Sequence, residues 1–106
     1  MTLYEWLKLY HRKTGEYPNG WPCSDFKFEE EHGFCVYIPD GDILIIGEVC
    51  GDGLYWHKYL NRKAKELGCK TLRFWTKRNP VAFIRKYGYS LTGFVDGHHI
   101  LEKEVF

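Results

Sequence analysis

The chain has 106 residues, 44% of them hydrophobic, 18% aromatic and 27% charged, with a formal net charge of +1. Four Trp, eight Tyr and seven Phe exclude a disordered chain, because unfolded segments do not carry that much apolar surface. One domain over 1–106 is expected, able to bury roughly two-thirds of its extended-chain surface. No apolar run nears the roughly 20 residues that span a bilayer, and the start, Met1-Thr-Leu-Tyr-Glu-Trp, lacks the core and cleavage site of a secretory signal; a cytoplasmic location is expected.

Charge divides along the chain. Residues 16–53 carry −8 and residues 54–95 carry +9. A basic second half points to an anionic ligand, or to neutralisation of one half by the other in the fold. The cysteines, Cys23, Cys35, Cys50 and Cys69, lack the close pairing of a zinc knuckle and read as reduced, buried thiols, with no metal.

Thr2-Leu-Tyr-Glu5 is a capping box, and Leu3, Trp6, Leu7 and Tyr10 then recur at helical spacing up to Thr14, with Gly15 as the left-handed stop. Residues 16–24, punctuated by Pro18-Asn-Gly20-Trp-Pro22, form a connector. Strands are expected at 25–30, 34–38 and 42–49, joined by turns at Glu31-His-Gly33 and Pro39-Asp-Gly41. The third contains Ile43-Leu-Ile-Ile46, a continuous run that suits a strand covered on both faces.

The turn Cys50-Gly-Asp-Gly53 opens an amphipathic helix over 54–67, whose stripe is Leu60, Ala64 and Leu67 with Trp56 or His57 a turn earlier, stopped by Gly68. Residues 70–76 alternate as a strand. Asn79-Pro80 caps a short helix that runs to Tyr87 and ends at Gly88. The chain closes with a hairpin, 90–95 and 98–105, around Asp96-Gly97. The histidines His98 and His99 alternate along a strand and so face opposite sides, which argues against a shared metal site.

A buried strand entering a glycine turn that opens a helix sets backbone amides and the positive helix end against phosphate oxygens. With the elements that follow, the chain resembles the GCN5-related N-acetyltransferase (GNAT) superfamily, whose signature is a strand, a Q/R-x-x-G-x-G/A turn, a helix, a strand, a helix and a glycine-aromatic pair. The match covers 42–93: Gly51 and Gly53 are the motif glycines, followed by Leu72-Arg-Phe74, Asn79-Pro-Val-Ala82 and Gly88-Tyr89.

The resemblance implies an α/β (α+β) fold with a mixed, mostly antiparallel central sheet, and acetyl-CoA as acyl donor to a primary amine. It implies cofactor contacts from Val49, Cys50, Gly51, Asp52, Gly53, Leu54 and Asn79. Glu48 is the candidate base. Tyr87 is the candidate proton donor, because the usual tyrosine slot holds Ile84. Glu48 replaces the customary Gln or Arg, and with Asp52 it puts two carboxylates beside the diphosphate position. The alternative is a binding module without catalysis, in which Trp75, Tyr87 and Tyr89, interleaved with Arg73, Lys77, Arg78, Arg85 and Lys86, contact nucleic acid or an acidic protein.

Overall fold

The computed structural model describes residues 1–15 and 24–106. The connector reading and Cys23 lie outside the described residues. Helix α1 (Leu3–Thr14) is followed by strands β1 (Asp25–Glu29), β2 (Gly33–Asp40) and β3 (Ile43–Gly51), helix α2 (Gly53–Glu66), strand β4 (Thr71–Thr76), helix α3 (Val81–Tyr87) and the hairpin β5 (Ser90–Val95) and β6 (His98–Glu104). The strands form one mixed sheet in the order β1-β2-β3-β4-β6-β5, antiparallel except where β3 meets β4. No helix among the described residues is long and apolar enough to cross a membrane.

The helix ends follow local chemistry. Thr2 Oγ1 accepts from the Glu5 amide while Glu5 Oε1 accepts from the Thr2 amide, and Gly15 closes the helix at φ 77°. The closing hairpin turns through Asp96 and Gly97, both with positive φ, as a tight two-residue turn between twisted strands requires.

Helix α2 lies on one face of the sheet. Its Trp56, Leu60 and Ala64 join Tyr37, Leu44, Ile46, Leu72, Phe74, Tyr89 and Leu101 in the main core. Leu60, Leu44, Leu72 and Leu101 are each at least 99% buried, a burial that stabilises by about 2 kcal/mol per side chain. The expected stripe differs at its end: Leu67 is 46% exposed, and Asn61 is buried instead. The Asn61 side chain both donates to the Phe106 carbonyl (2.7 Å) and accepts from the Phe106 amide (3.0 Å), holding the chain end against α2.

Helix α1 covers the other face, with Tyr10 against Phe34 and the Trp6 indole donating to the Glu30 carbonyl. Coverage on both faces therefore falls on β2, where Phe34, Cys35, Val36 and Tyr37 are all buried, rather than on β3. In β3 Leu44 and Ile46 are buried under α2, whereas Ile43 and Ile45 are half-buried. Cys35, Cys50 and Cys69 are buried thiols, and burial pushes Cys35 up to about 12.

Candidate active site

Two irregularities in the sheet open a cleft at its centre. Parallel pairing of β3 with β4 runs only from Ile43–Thr71 to Ile45–Arg73, although β3 continues to Gly51 and β4 to Thr76. Strand β4 stays paired with β6 as far as Thr76–His99, so the gap lies between β3 and β4. On the opposite edge of β3 the register shifts: Val36 faces Glu48 and Tyr37 faces Ile46, which leaves Gly47 as an extra residue in a bulge. The bulge bends the outer half of β3 away and re-aims Glu48 and Val49. The resulting cleft encloses about 380 Å³, within the range of small-ligand sites, and Ile46 to Gly51 form its floor.

Its two sides are unlike. Toward α1 the lining is Tyr10, Lys13, Thr14, Glu48 and Arg78; toward α2 and α3 it is Gly53, His57, Phe83, Lys86 and Tyr87. Tyr87 is the centre of the second group. Its ring stacks on His57, with centroids 4.0 Å apart, and its hydroxyl lies where a Cβ on residue 53 would stand, so glycine at that position makes room for the phenol. Lys103 Nζ donates to the Tyr87 carbonyl at 2.6 Å, fixing the end of α3. His57 Nδ1 in turn meets the Tyr89 hydroxyl at 3.0 Å. Burial, with a smaller push from the Lys103 charge, pulls His57 from its ordinary 6.5 down to about 4, and burial raises the Tyr89 phenol. Both are neutral near pH 7.

The head of α2 is organised by its own side chain. Asp52 Oδ1 accepts from the Tyr55 amide at 3.1 Å, and the Asp52 amide donates to the His32 carbonyl at 2.9 Å. Asp52 Oδ2 stands 3.3 Å from Nδ1 of His32, whose ring stacks on Tyr55. The Tyr55 amide is the main influence holding the Asp52 carboxyl below its ordinary range. The main-chain nitrogens expected to face a diphosphate are thus not all bare: a carboxylate occupies part of the anion position. Gly51 has a further reason to be glycine. At φ 109° a Cβ there would strike the His32 carbonyl, and Gly33 opposite would strike Cys50, so two glycines let β2 and β3 approach.

Of the residues singled out in the sequence, Glu48, Val49, Cys50, Gly51, Gly53 and Tyr87 line the cleft. Asp52 caps α2, Leu54 is 56% exposed, and Asn79 Oδ1 accepts from the Val81 amide at the start of α3; none of the three lines it. Lys13, His57, Arg78 and Lys86 also line it, and no local pattern in the sequence connects residues this far apart. The interleaved aromatics do not form one stacking platform: Tyr89 is 2% exposed and Tyr87 stacks on His57, whereas Trp75 is 38% exposed. Arg73 pairs with Glu102, and His99 packs on Phe94 while His98 Nδ1 meets the Asp96 carbonyl.

No protein-family model matches the sequence, and no curated protein sequence matches it. Solved structures do. An aminoglycoside 6'-N-acetyltransferase complexed with coenzyme A superposes with a TM-score of 0.75 at 13% identity, over 98% of this chain and 91% of that one. The aminoglycoside 6'-N-acetyltransferase from Enterococcus faecium gives 0.71 at 14% identity, over 98% and 89%. N-acetylglutamate synthase from Neisseria gonorrhoeae, complexed with coenzyme A and N-acetyl-glutamate, gives 0.69 at 13% identity, over 98% of this chain and 32% of that one. Six strands in this order, parted between β3 and β4 and flanked by three helices, make this chain a divergent example of the GNAT fold.

Proposed function

We propose that the chain is a single-domain, cytoplasmic N-acyltransferase that takes an acyl group from acetyl-CoA and passes it to a primary amine. The observation that carries this reading is the parting of β3 from β4, which among the described residues leaves one edge of β3 without a strand partner along a cleft that Glu48 and Tyr87 both line. Several solved structures that share the fold hold coenzyme A, which supports the same donor here.

The residues fit such a donor unevenly. An extended polar arm suits the open edge over Ile46–Val49, where main-chain groups replace a missing strand. Gly53 and the Lys86 ammonium suit the phosphates, but Asp52 already holds the Tyr55 amide, which favours weak donor binding. When bound, acetyl-CoA supplies an acyl carbon whose bond to sulfur breaks as a bond to nitrogen forms.

Glu48 takes one proton from the ammonium form of the acceptor, so that nitrogen attacks with a free electron pair. The main chain at the Gly47 bulge offers donors to the carbonyl oxygen as charge develops there. Tyr87 gives its phenolic proton to the departing thiolate, and the second nitrogen proton restores it. Stacking on His57 and the Lys103 bond to its carbonyl hold the Tyr87 ring on the α2 side of the cleft.

Calorimetric titration with acetyl-CoA at low salt, followed by release of free thiol on adding amines, tests this reading. Saturable binding and amine-dependent thiol release support it; heat no greater than dilution contradicts it. Gly53→Asp should abolish binding, because the new side chain displaces the Tyr87 hydroxyl and adds a charge at the same point.

A further inference from the structure

The cleft passes through the sheet, and its charges are not evenly divided between the two faces. Gly53, Tyr87 and Lys86 belong to the face covered by α2 and α3. On the α1 face, Glu48 and Cys50 of β3 line the cleft together with Lys13 and Thr14 from the last turn of α1. The Cys50 thiol lies 3.8 Å from the Trp6 carbonyl, which fixes it on that face, and Lys13 and Arg78 both act electrostatically on it. Two exposed cations from separate elements, one at the end of α1 and one in the loop after β4, thus line the same cleft as Glu48, the one carboxylate lining it among the described residues.

Lys13 has a local use in the last turn of α1, where a cation offsets the negative helix end. Arg78 has none of that kind, because it precedes α3 and sits outside any helix. Its flat guanidinium is suited to a carboxylate or phosphate held by two parallel bonds. A polycationic acceptor would meet two like charges at this entrance.

We infer that the acceptor is an amine that also carries an anionic group, its nitrogen directed to Glu48 and its carboxylate or phosphate held by Lys13 and Arg78. This rests on the transferase reading. It departs from the amino-sugar acceptors named for two of the structural neighbours, whose several ammonium groups this entrance disfavours.

The test compares thiol release from acetyl-CoA with β-alanine, phosphoethanolamine, propylamine and putrescine, in the native chain and in a Lys13→Gln, Arg78→Gln double variant. Acetyl-CoA affinity is followed in parallel by calorimetry. The expected result is a kcat/KM about tenfold higher for β-alanine or phosphoethanolamine than for propylamine, a preference the double variant loses while its acetyl-CoA affinity is kept. The better of the two anionic amines identifies the group as carboxylate or phosphate. Equal use of propylamine or putrescine overturns the inference and leaves the transferase reading standing. Loss of acetyl-CoA affinity in the double variant also overturns it, by assigning the cations to the donor. Failure of the native chain to bind acetyl-CoA removes the transferase reading and this inference together.

Discussion

The two walls of the cleft are built by different means. The α2 wall is an extension of the core: His57 follows the fully buried Trp56, Phe83 packs edge-on against Phe74, and Tyr87 is held by a stacked imidazole and by Lys103. The α1 wall belongs to a helix with no fully buried side chain, and its polar lining is Lys13, Thr14, Glu48 and Arg78. Packing fixes the first wall to within small displacements, whereas the second is set by charge and can accommodate different partners. On the proposed function, the sheet opening and α2 wall would hold the donor, and the α1 wall would select the acceptor.

The largest expected effect breaks the division at its junction. Glu48→Gln keeps the shape of the α1 wall but removes the proton acceptor, and should lower kcat by about a thousandfold while acetyl-CoA affinity holds or rises. Unchanged turnover, measured by thiol release, would return Glu48 to a structural role.

The next concerns stability. His57 is pulled down to about 4 in the folded chain and returns to about 6.5 when unfolded, so between those values the unfolded state binds a proton that the native state refuses. Its contribution is complete above pH 6.5 and is lost as the pH falls toward 4, amounting to about 3 kcal/mol. Urea unfolding at a series of pH values should show that slope in the native chain, and His57→Phe, which keeps a ring against Tyr87, should flatten it. The same slope in both would mean that the α2 wall is open to water.

Tyr87→Phe retains the stack and removes only the hydroxyl. A thiol leaves readily with little help, since its pKa is near 8.5, so the expected loss in kcat, read by thiol release, is about tenfold. The smallest effect belongs to Asp52→Asn. Asparagine still caps α2, but the charge beside the diphosphate position is gone, and acetyl-CoA should bind several-fold more tightly, most visibly at low salt. If affinity is unchanged, the diphosphate does not approach the head of α2.

Much of this architecture is legible in the sequence because it depends on local rules. The Thr2–Glu5 box, the stops at Gly15 and Gly88, the Asp96-Gly97 turn and the order of helices and strands each follow from a few neighbouring residues. What escapes is set by distant parts of the chain. The apolar run Ile43–Ile46 reads as doubly covered, yet α1 crosses β2 and gives it that burial. Asn61 is buried because Phe106 returns to it from 45 positions away. Gly51 matches a phosphate-turn motif but also answers to the His32 carbonyl across the sheet, a demand invisible from its neighbours. Glu48 is a candidate through its place in the resemblance and Tyr87 as the phenol nearest a slot that holds Ile84, and both line the cleft, whereas Lys13 and Arg78 reach the same cleft only through the folding of the chain.

The most direct test of the donor site is a two-dimensional amide NMR titration of the isotopically labelled chain with acetyl-CoA. Binding at the parted strands predicts saturable shifts confined to residues 46–53 and to the vicinity of His57 and Tyr87, with α1 and the β5–β6 hairpin little changed. Shifts scattered over exposed lysines and arginines, or none in 46–53 at saturating ligand, would contradict it.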